Sequence, residues 1–190
     1  IVYDALEIIA SPPSPLQPCS AIALCEDEKE GGVELISSGI SIPGNIEDNL
    51  CVKAYHLIRK NYLLPSIKIH LHKAIPIGAG MGGGSADAAF LIRLLNDTFE
   101  LGISWGEMHH YARQLGSDCS FFISNKPAFA KGKGDELESL KLDLSGYYIA
   151  MVYPGIHIST ARAYSMVKPS PIPKGRNTIA PFRAGGKLPI

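Results

Sequence analysis

The sequence feature that most constrains this chain is a glycine-rich stretch at residues 76–89, Pro-Ile-Gly-Ala-Gly-Met-Gly-Gly-Gly-Ser-Ala-Asp-Ala-Ala. A tight turn needs only one or two residues with positive φ, so glycines this dense indicate backbone that approaches a ligand closely. The apolar stripe that follows predicts a helix; it consists of Ala88, Ala89, Leu91, Ile92 and Leu95. Because unpaired N–H groups at a helix N-terminus favour anions, the stretch predicts a phosphate-binding loop.

Three other interpretations of this stretch fit less well. A flexible linker would be polar and would not run directly into an apolar helix. The Walker loop requires Gly-Lys followed by Ser or Thr, and no lysine follows these glycines. The dinucleotide motif G-x-G-x-x-G matches at Gly78, Gly80 and Gly83, which leaves a dinucleotide-binding oxidoreductase as an alternative. The preceding segment, 67–73, alternates apolar and polar residues, whereas a first Rossmann strand is apolar throughout.

The stretch resembles the phosphate loop of the GHMP kinases, whose general form is Pro-x-Gly-x-Gly-Leu-Gly-Ser-Ser-Ala. The three glycines before Ser85 and the Asp-Ala-Ala after Ala86 are most similar to the branch of that family that acts on 4-diphosphocytidyl-2-C-methyl-D-erythritol. The resemblance implies an α+β fold like domain 2 of ribosomal protein S5, with a mostly antiparallel sheet and helices on one side. It also implies transfer of the ATP γ-phosphate, with Mg²⁺, to the 2-hydroxyl of that substrate in non-mevalonate isoprenoid biosynthesis.

The same resemblance assigns the nucleotide-binding residues. The backbone of the loop would cradle the triphosphate of ATP, and this set comprises Gly78, Ala79, Gly80, Met81, Gly82, Gly83, Gly84 and Ser85. The Ser85 hydroxyl is in addition a candidate Mg²⁺ ligand, although no firm metal site is predicted. The segment Asn49-Leu50-Cys51-Val52-Lys53-Ala54 resembles the family's Asn-Leu-x-x-x-Ala and places Asn49 near the nucleotide, together with Lys73. Asn49 is equally suited to cap the helix that follows it.

Two further segments are assigned by resemblance to the reacting groups and the substrate. Gly116-Ser117-Asp118-Cys119-Ser120-Phe121 resembles the family's Gly-Ala/Ser-Asp-x-Pro/Ser-Phe, in which the aspartate, here Asp118, is the catalytic carboxylate. From the residues alone, Asp118 could equally be an ordinary acid in a turn or at a helix end. Residues 154–164 resemble Pro-Gly-x-x-x-Ser-Thr-x-x-x-Tyr/Phe, which places Thr160 and Tyr164 against the cytidine diphosphate moiety of the substrate. Thr160 or Ser159 could instead cap a short helix.

The remaining elements follow from local patterns. Strands are predicted at 1–10, 33–36, 67–73 and 147–153. Residues 128–134 resemble the family's Ala-x-Ala-x-Gly-x-Gly strand and turn, and the glycines there would permit a hairpin or a bulge. A helix should begin after Asp48 or Asn49 and end before Pro65. Ser104-Trp105-Gly106-Glu107 is a capping box, so a further helix should run from there to Leu115 and end at Gly116.

Composition excludes several classes of protein. The 18 basic and 18 acidic residues give a formal net charge of zero, unlike a protein that binds nucleic acid or a membrane surface. We find neither an apolar run long enough to span a membrane nor a signal peptide, and the four cysteines are scattered, as in a reduced cytoplasmic protein. The sequence predicts no partner besides the small-molecule substrate and does not indicate an oligomeric state.

The resemblance covers 1–167, which is expected to be the ATP-binding N-terminal domain of a GHMP kinase without its first segment. Residues 168–190, rich in proline and basic residues, are expected to be a loop or tail leading to a C-terminal domain that this chain lacks. Turnover by the 190 residues alone is therefore not expected. Another small-alcohol kinase of the family and an inactive nucleotide-binding fragment remain as alternative functions.

Overall fold

A computed structural model describes residues 3–11, 32–152 and 160–168. A three-stranded sheet with strand order β1-β3-β2 forms one layer; its strands are β1 (Ala5–Ala10), β2 (Val33–Gly39) and β3 (Ile67–Lys73). Strand β1 runs antiparallel to β3, pairing Ala5 with His72, whereas β2 runs parallel to β3, pairing Val33 with Ile67. The crossover from β2 to β3 carries a short 3-10 helix (Ile46–Asp48) and α1 (Leu50–Arg59).

The alternating pattern of β3 divides its side chains between two faces. Ile67, Ile69 and Leu71 are buried against the helices, while Lys68 and His72 point to the exposed face of the sheet. Lys73 continues the buried series and is only 4% exposed. A charged side chain at this depth needs a partner of opposite charge. The partners of Lys73 are Asp4 and Asp87, which are described with the candidate site below.

Helices cover the buried face of the sheet: α1, α2 (Gly83–Thr98), α3 (Trp105–Leu115) and α4 (Cys119–Ser124). The apolar stripe of α2 predicted from the sequence is fully buried in the core between these helices and β3. Helix α1 packs against α2, and α4 packs against both α2 and α3. The α+β prediction with helices on one side of the sheet is confirmed.

The predicted helix ends are present as side-chain caps. Asn49 is the N-cap of α1, and its Oδ1 accepts a hydrogen bond from the Cys51 N–H at 2.9 Å. At the start of α3, Ser104 and Glu107 form the complete capping box, and Gly116 ends the helix. Both starts were readable from sequence because every group that makes these bonds lies within three residues of the cap.

The predicted hairpin is also present. Strands β4 (Ala128–Lys131) and β5 (Glu136–Ser139) pair antiparallel, with Ala128 opposite Ser139. The turn between them uses positive φ at Gly132 and Gly134. Among the described residues, two of the three strand pairings are therefore antiparallel, and β2 with β3 is the exception.

The strand predicted at 147–153 is wrong over residues 147–152. This stretch pairs with no described strand, and its side chains are largely exposed, reaching 80% for Ile149 and 90% for Val152. An apolar run forms a strand only where another strand satisfies its backbone groups, and nothing in the described part of the chain does so here. Helix α5 (Thr160–Ser165) follows, and the predicted tail after Lys168 lies outside the described residues.

Candidate active site

The glycine-rich loop adopts the conformation that its composition suggests. Gly78, Gly80 and Gly82 all have positive φ, between 68° and 74°. Residues that carry a Cβ rarely adopt this backbone conformation. The backbone accordingly runs through turns and bends between β3 and α2. This path leads the backbone directly into the first turn of α2.

The N-terminus of α2 is left open by its cap residue. Gly82 is the N-cap and makes no side-chain capping hydrogen bond, unlike Asn49 and Ser104 at the starts of α1 and α3. The first N–H groups of a helix have no partner within the helix. Together with the helix dipole, they make the start of α2 suited to binding an anion.

One cavity of about 530 Å³ brings the predicted nucleotide site together. Its lining includes Asn49, Lys73, all of Gly78–Ser85, and Asp118. These residues come from the start of α1, the end of β3, the loop before α2 and the start of α4. The structure thus gathers at one place every predicted site residue whose side chain it describes, and their roles remain predictions.

Asp118 lies at the N-cap position of α4, but its side chain makes no capping hydrogen bond. The carboxylate is exposed and lines the cavity instead. The β4–β5 turn comes close on another side, since a Cβ at Gly134 would lie 4.0 Å from Asp118 Oδ1. The alternative that Asp118 serves as a helix cap therefore finds no hydrogen bond to support it.

Helix α4 also contacts the glycine loop, through the ring of Phe122. A Cβ added at Gly82 would lie 2.9 Å from the ring of Phe122, so the loop backbone lies directly on that ring. Burial raises the pKa of the Cys119 thiol, and the nearby Ser85 hydroxyl acts in the opposite direction. Asp118 is the neighbour of Cys119 in sequence, so the start of α4 lies beside the first turn of α2, in line with the packing of these two helices.

Lys73 is in a different environment from the one expected of a residue that simply faces the nucleotide. Its ammonium group donates to Asp4 Oδ2 and to Asp87 Oδ2, the latter at 2.9 Å. Asp4 Oδ1 in turn accepts from the N–H groups of Ala74 and Ile75, at 2.6 and 2.8 Å. We call these three side chains the Asp4–Lys73–Asp87 cluster.

The two carboxylates of the cluster differ electrostatically. Burial raises the pKa of Asp87 to about 6, against the opposing effect of its bond to Lys73. Burial also acts to raise the pKa of Asp4, but the bonds from Ile75, Lys73 and Ala74 outweigh it and hold that pKa below its ordinary value. The two carboxylates similarly raise the pKa of Lys73 despite its burial. Among the described residues, Lys73 is the one positively charged side chain that pairs with Asp4 and Asp87.

Sequence reasoning missed the contribution of Asp4 and Asp87. Asp87 was visible as part of the loop motif, on the second turn of a predicted helix. Its partner Lys73 lies 14 residues away, and Asp4 lies 69 residues from Lys73. Nothing in the residues around Asp4 indicates that it contacts Lys73, because only the pairing of β1 with β3 brings Asp4 to the end of β3.

The predicted cytidine contacts are described only in part. The backbone of Thr160 and Tyr164 lies in α5, which confirms a short helix there, but both side chains lie outside the described residues. Across the described ranges, no group of three or more His, Cys, Asp and Glu side chains is placed to hold a metal ion. In the same part of the chain, no helix has both the length and the apolar character needed to cross a membrane.

Comparison with known protein families gives a match that covers the site. Residues 49–132 match the family described as the GHMP kinases N terminal domain. This segment begins at Asn49 and contains the glycine loop and Asp118. It ends at Gly132, in the turn between β4 and β5.

Several bacterial proteins named 4-diphosphocytidyl-2-C-methyl-D-erythritol kinase are similar to the chain. The protein of Bacteroides fragilis is 46% identical over 167 residues, covering 88% of this chain and 60% of the relative. Those of Azobacteroides pseudotrichonymphae and Cytophaga hutchinsonii are each 50% identical, covering 74% and 70% of this chain. The chain spans 53% and 50% of these last two relatives, so it corresponds to between half and three fifths of the length of these three proteins.

A solved structure supports the fold. The crystal structure of a 4-(cytidine 5'-diphospho)-2C-methyl-D-erythritol kinase is similar with a TM-score of 0.61 and 24% sequence identity. The similarity covers 98% of this chain and 60% of that protein.

Proposed function

We propose that this chain, which belongs to the GHMP kinases through its N-terminal domain, is the nucleotide-binding part of an enzyme that phosphorylates the 2-hydroxyl of 4-diphosphocytidyl-2-C-methyl-D-erythritol with ATP. One observation carries the proposal: an uncapped helix N-terminus and the carboxylate of Asp118 share one cavity. Phosphoryl transfer needs both parts, a cradle for the phosphates and a group that orients the attacking hydroxyl. The names of the similar proteins support the choice of substrate.

The triphosphate would lie against the loop and the first turn of α2. The N–H groups of Gly83, Gly84 and Ser85, which no side chain caps, would donate to its oxygens. Asn49 already uses its Oδ1 as a helix cap, so its amide nitrogen is the part that would contact the nucleotide. Lys73 lines the same cavity but is held by two carboxylates, so we assign it to the support of the loop as well as to the nucleotide site.

Asp118 would act on the substrate hydroxyl. A sugar-like hydroxyl is a poor nucleophile at neutral pH, and a carboxylate within hydrogen-bond distance orients it and accepts its proton. As the bond from the hydroxyl oxygen to the γ-phosphorus forms, the bond from that phosphorus to the bridging oxygen of ADP breaks. The exposed Asp118 carboxylate, free of a capping bond, is suited to this role.

The donors present fit Mg²⁺ bound mainly by substrate. Mg²⁺ commonly takes one or two protein oxygens and completes its coordination with phosphates and water, so a cluster of acidic residues is not required. The Ser85 hydroxyl, at the first turn of α2 and at the edge of the cavity, would provide the protein ligand. When bound, the ion would neutralise charge on the phosphates.

The other substrate would enter with its cytidine towards α5. In this proposal Thr160 and Tyr164 contact the base, because a planar ring is well matched by an aromatic side chain and a hydroxyl donor. Both residues lie on one short helix, four positions apart. This part of the proposal is supported by sequence resemblance alone.

Titration calorimetry with three ligands tests the class of protein. The chain should bind a non-hydrolysable ATP analogue and cytidine diphosphate, and it should not bind NAD. Binding of NAD without the ATP analogue would favour the dinucleotide-binding alternative. Binding of none of the three by a folded chain would contradict a nucleotide site at this cavity.

Replacement of Asp118 tests the reaction in a full-length form that contains this chain. Asp118→Asn should lower kcat by about 10²- to 10⁴-fold, the usual contribution of a positioned general base. Affinity for ATP should change by no more than about twofold, because the triphosphate is assigned to the loop backbone. The melting temperature should also be unchanged, since the side chain makes no capping bond.

The matched control is Asp97→Asn, at an exposed acid near the end of α2 and away from the cavity. It should leave kcat and the melting temperature unchanged. An Asp118→Asn variant that melts lower but turns over at the normal rate would make Asp118 a structural residue.

A further inference from the structure

We propose that Asp4 is a positioning residue for nucleotide binding: its carboxylate fixes the start of the glycine loop and, through Lys73, sets its distance from the first turns of α2. The inference rests on the proposed function, because it concerns the same loop. It adds a residue that lies outside the segment matched by the family, which begins at residue 49.

The first link joins the N-terminal end of β1 to the backbone at the end of β3. Asp4 Oδ1 accepts hydrogen bonds from the N–H groups of Ala74 and Ile75, at 2.6 and 2.8 Å. These are the residues that connect β3 to the glycine loop. With its side chain only 5% exposed, Asp4 holds them without competition from solvent.

The second link crosses from β3 to α2. Asp4 Oδ2 accepts from the Lys73 ammonium group, and the same group donates to Asp87 Oδ2 at 2.9 Å. Asp87 is on the second turn of α2, just after the loop. The Asp4–Lys73–Asp87 cluster therefore ties together the two ends of the segment that would hold the phosphates.

The helix start lies directly on this cluster. A Cβ added at Gly83 would come within 3.2 Å of Lys73 Nζ and 3.4 Å of Asp4 Oδ2, and within 3.1 Å of the Ile75 side chain. Gly83 has no left-handed φ, so close approach to these groups, rather than backbone conformation, is what disfavours a larger residue here. Any shift of the cluster would move the first N–H groups of α2.

The charge of the cluster argues against a role as the phosphate ligand itself. Two carboxylates face one ammonium group, and all three side chains are at least 92% buried. Added negative charge below the loop would repel a polyanion, so attraction of phosphate does not explain the arrangement. Geometry does explain it, because small displacements of a binding group strongly reduce its contribution.

The test compares affinities for a non-hydrolysable ATP analogue by calorimetry. Asp4→Asn keeps an oxygen for the Ala74 and Ile75 N–H groups but removes the charge opposite Lys73, whereas Asp4→Ala removes both links. Affinity should fall in the order wild type, Asp4→Asn, Asp4→Ala, with a loss of about 10- to 100-fold in the last. Affinity for cytidine diphosphate should stay within about twofold of wild type in both variants.

The matched control is Glu34→Gln. Glu34 on β2 pairs with Lys68 on β3, the strand that also carries Lys73, at 2.8 Å on the exposed face of the sheet. The variant therefore removes an ion pair from β3 without touching the loop. It should bind the ATP analogue normally. In a full-length form, Asp4→Asn should raise the KM for ATP while leaving the KM for the second substrate unchanged.

The outcomes separate this inference from the proposed function. If the wild-type chain does not bind the ATP analogue, the proposed function fails. If the wild type binds and both Asp4 variants bind within about twofold of it, positioning by Asp4 is refuted. If Asp4→Ala does not fold, Asp4→Asn decides, and an equal loss of affinity for both ligands in that variant would also refute the specific role.

Discussion

Gly84→Val separates ligand approach from protein stability at the proposed phosphate site. Gly84 is the second residue of α2 and lines the cavity. A Cβ added there meets nothing within 4 Å, and its φ is not left-handed. A valine can therefore be accommodated by the protein, with its side chain in the space where the phosphates would lie. At Gly82 and Gly83 the added carbon would instead contact Phe122 or the buried cluster, so substitutions there also disturb the fold.

The magnitude follows from the bonds that the side chain would block. A hydrogen bond to a charged group contributes about 1.5–3 kcal/mol, and the valine should remove at least one such bond between the helix start and a phosphate. Since about 1.4 kcal/mol corresponds to a factor of ten, the affinity for ATP should fall roughly 10- to 100-fold. Stability should not fall, because valine is favoured over glycine within a helix by a few tenths of a kcal/mol.

The assay is calorimetric titration with the ATP analogue beside a thermal melt, and Gly106→Val is the matched control. Gly106 is the second residue of α3, a Cβ there also meets nothing within 4 Å, and it does not line the cavity. The control should leave both affinity and melting temperature at or above wild type. A Gly84→Val variant with normal affinity would show that the phosphates do not approach the start of α2.

Two further predictions concern stability away from the cavity. Burial, with a smaller effect from Arg113, lowers the pKa of His109 below its ordinary 6.5, so the unfolded state binds more protons at this residue, and the contribution of His109 to the free energy of unfolding should fall as the pH drops below 6.5. Urea titrations between about pH 7 and 5 should show the free energy of unfolding of wild type falling relative to that of His109→Gln as the pH is lowered, and a difference between the two proteins that does not change with pH would contradict the prediction. Ser104→Ala should destabilise the protein by about 1 kcal/mol through loss of the α3 cap, with ATP affinity unchanged, and a melting temperature equal to wild type would refute the capping role.

The parts of the fold that sequence predicted well are those decided by neighbouring residues. Asn49 caps α1 through a bond to a residue two positions away, and Ser104 and Glu107 satisfy each other across three. The glycine loop and α2 were readable because glycine density and helical periodicity occur in one continuous stretch. The same density identified the cavity, since the loop forms much of its wall.

The parts that sequence did not predict depend on contacts between distant segments. The partners of Lys73 follow from the strand order β1-β3-β2, which places Asp4 beside residues 73–75. The strand expected at 147–153 shows the converse. Its residues have strong β propensity, but no described strand pairs with 147–152. Propensity alone does not form a strand without a neighbouring strand to provide the hydrogen bonds.

The anchors of the glycine loop also indicate where it can adjust to a ligand. One end is held by Asp4 through the N–H groups of Ala74 and Ile75, and the other by the contacts of Gly82 with Phe122 and of Gly83 with the buried cluster. Between them, a Cβ added at Gly80 meets nothing within 4 Å, so the middle of the loop has room that its ends lack. Glycine loses more conformational entropy on ordering than other residues, and anchoring both ends lowers the part of that entropy still to be lost on binding. In the proposed function, the anchored helix start would set the position of the phosphates, and the middle of the loop would have room to adjust to them.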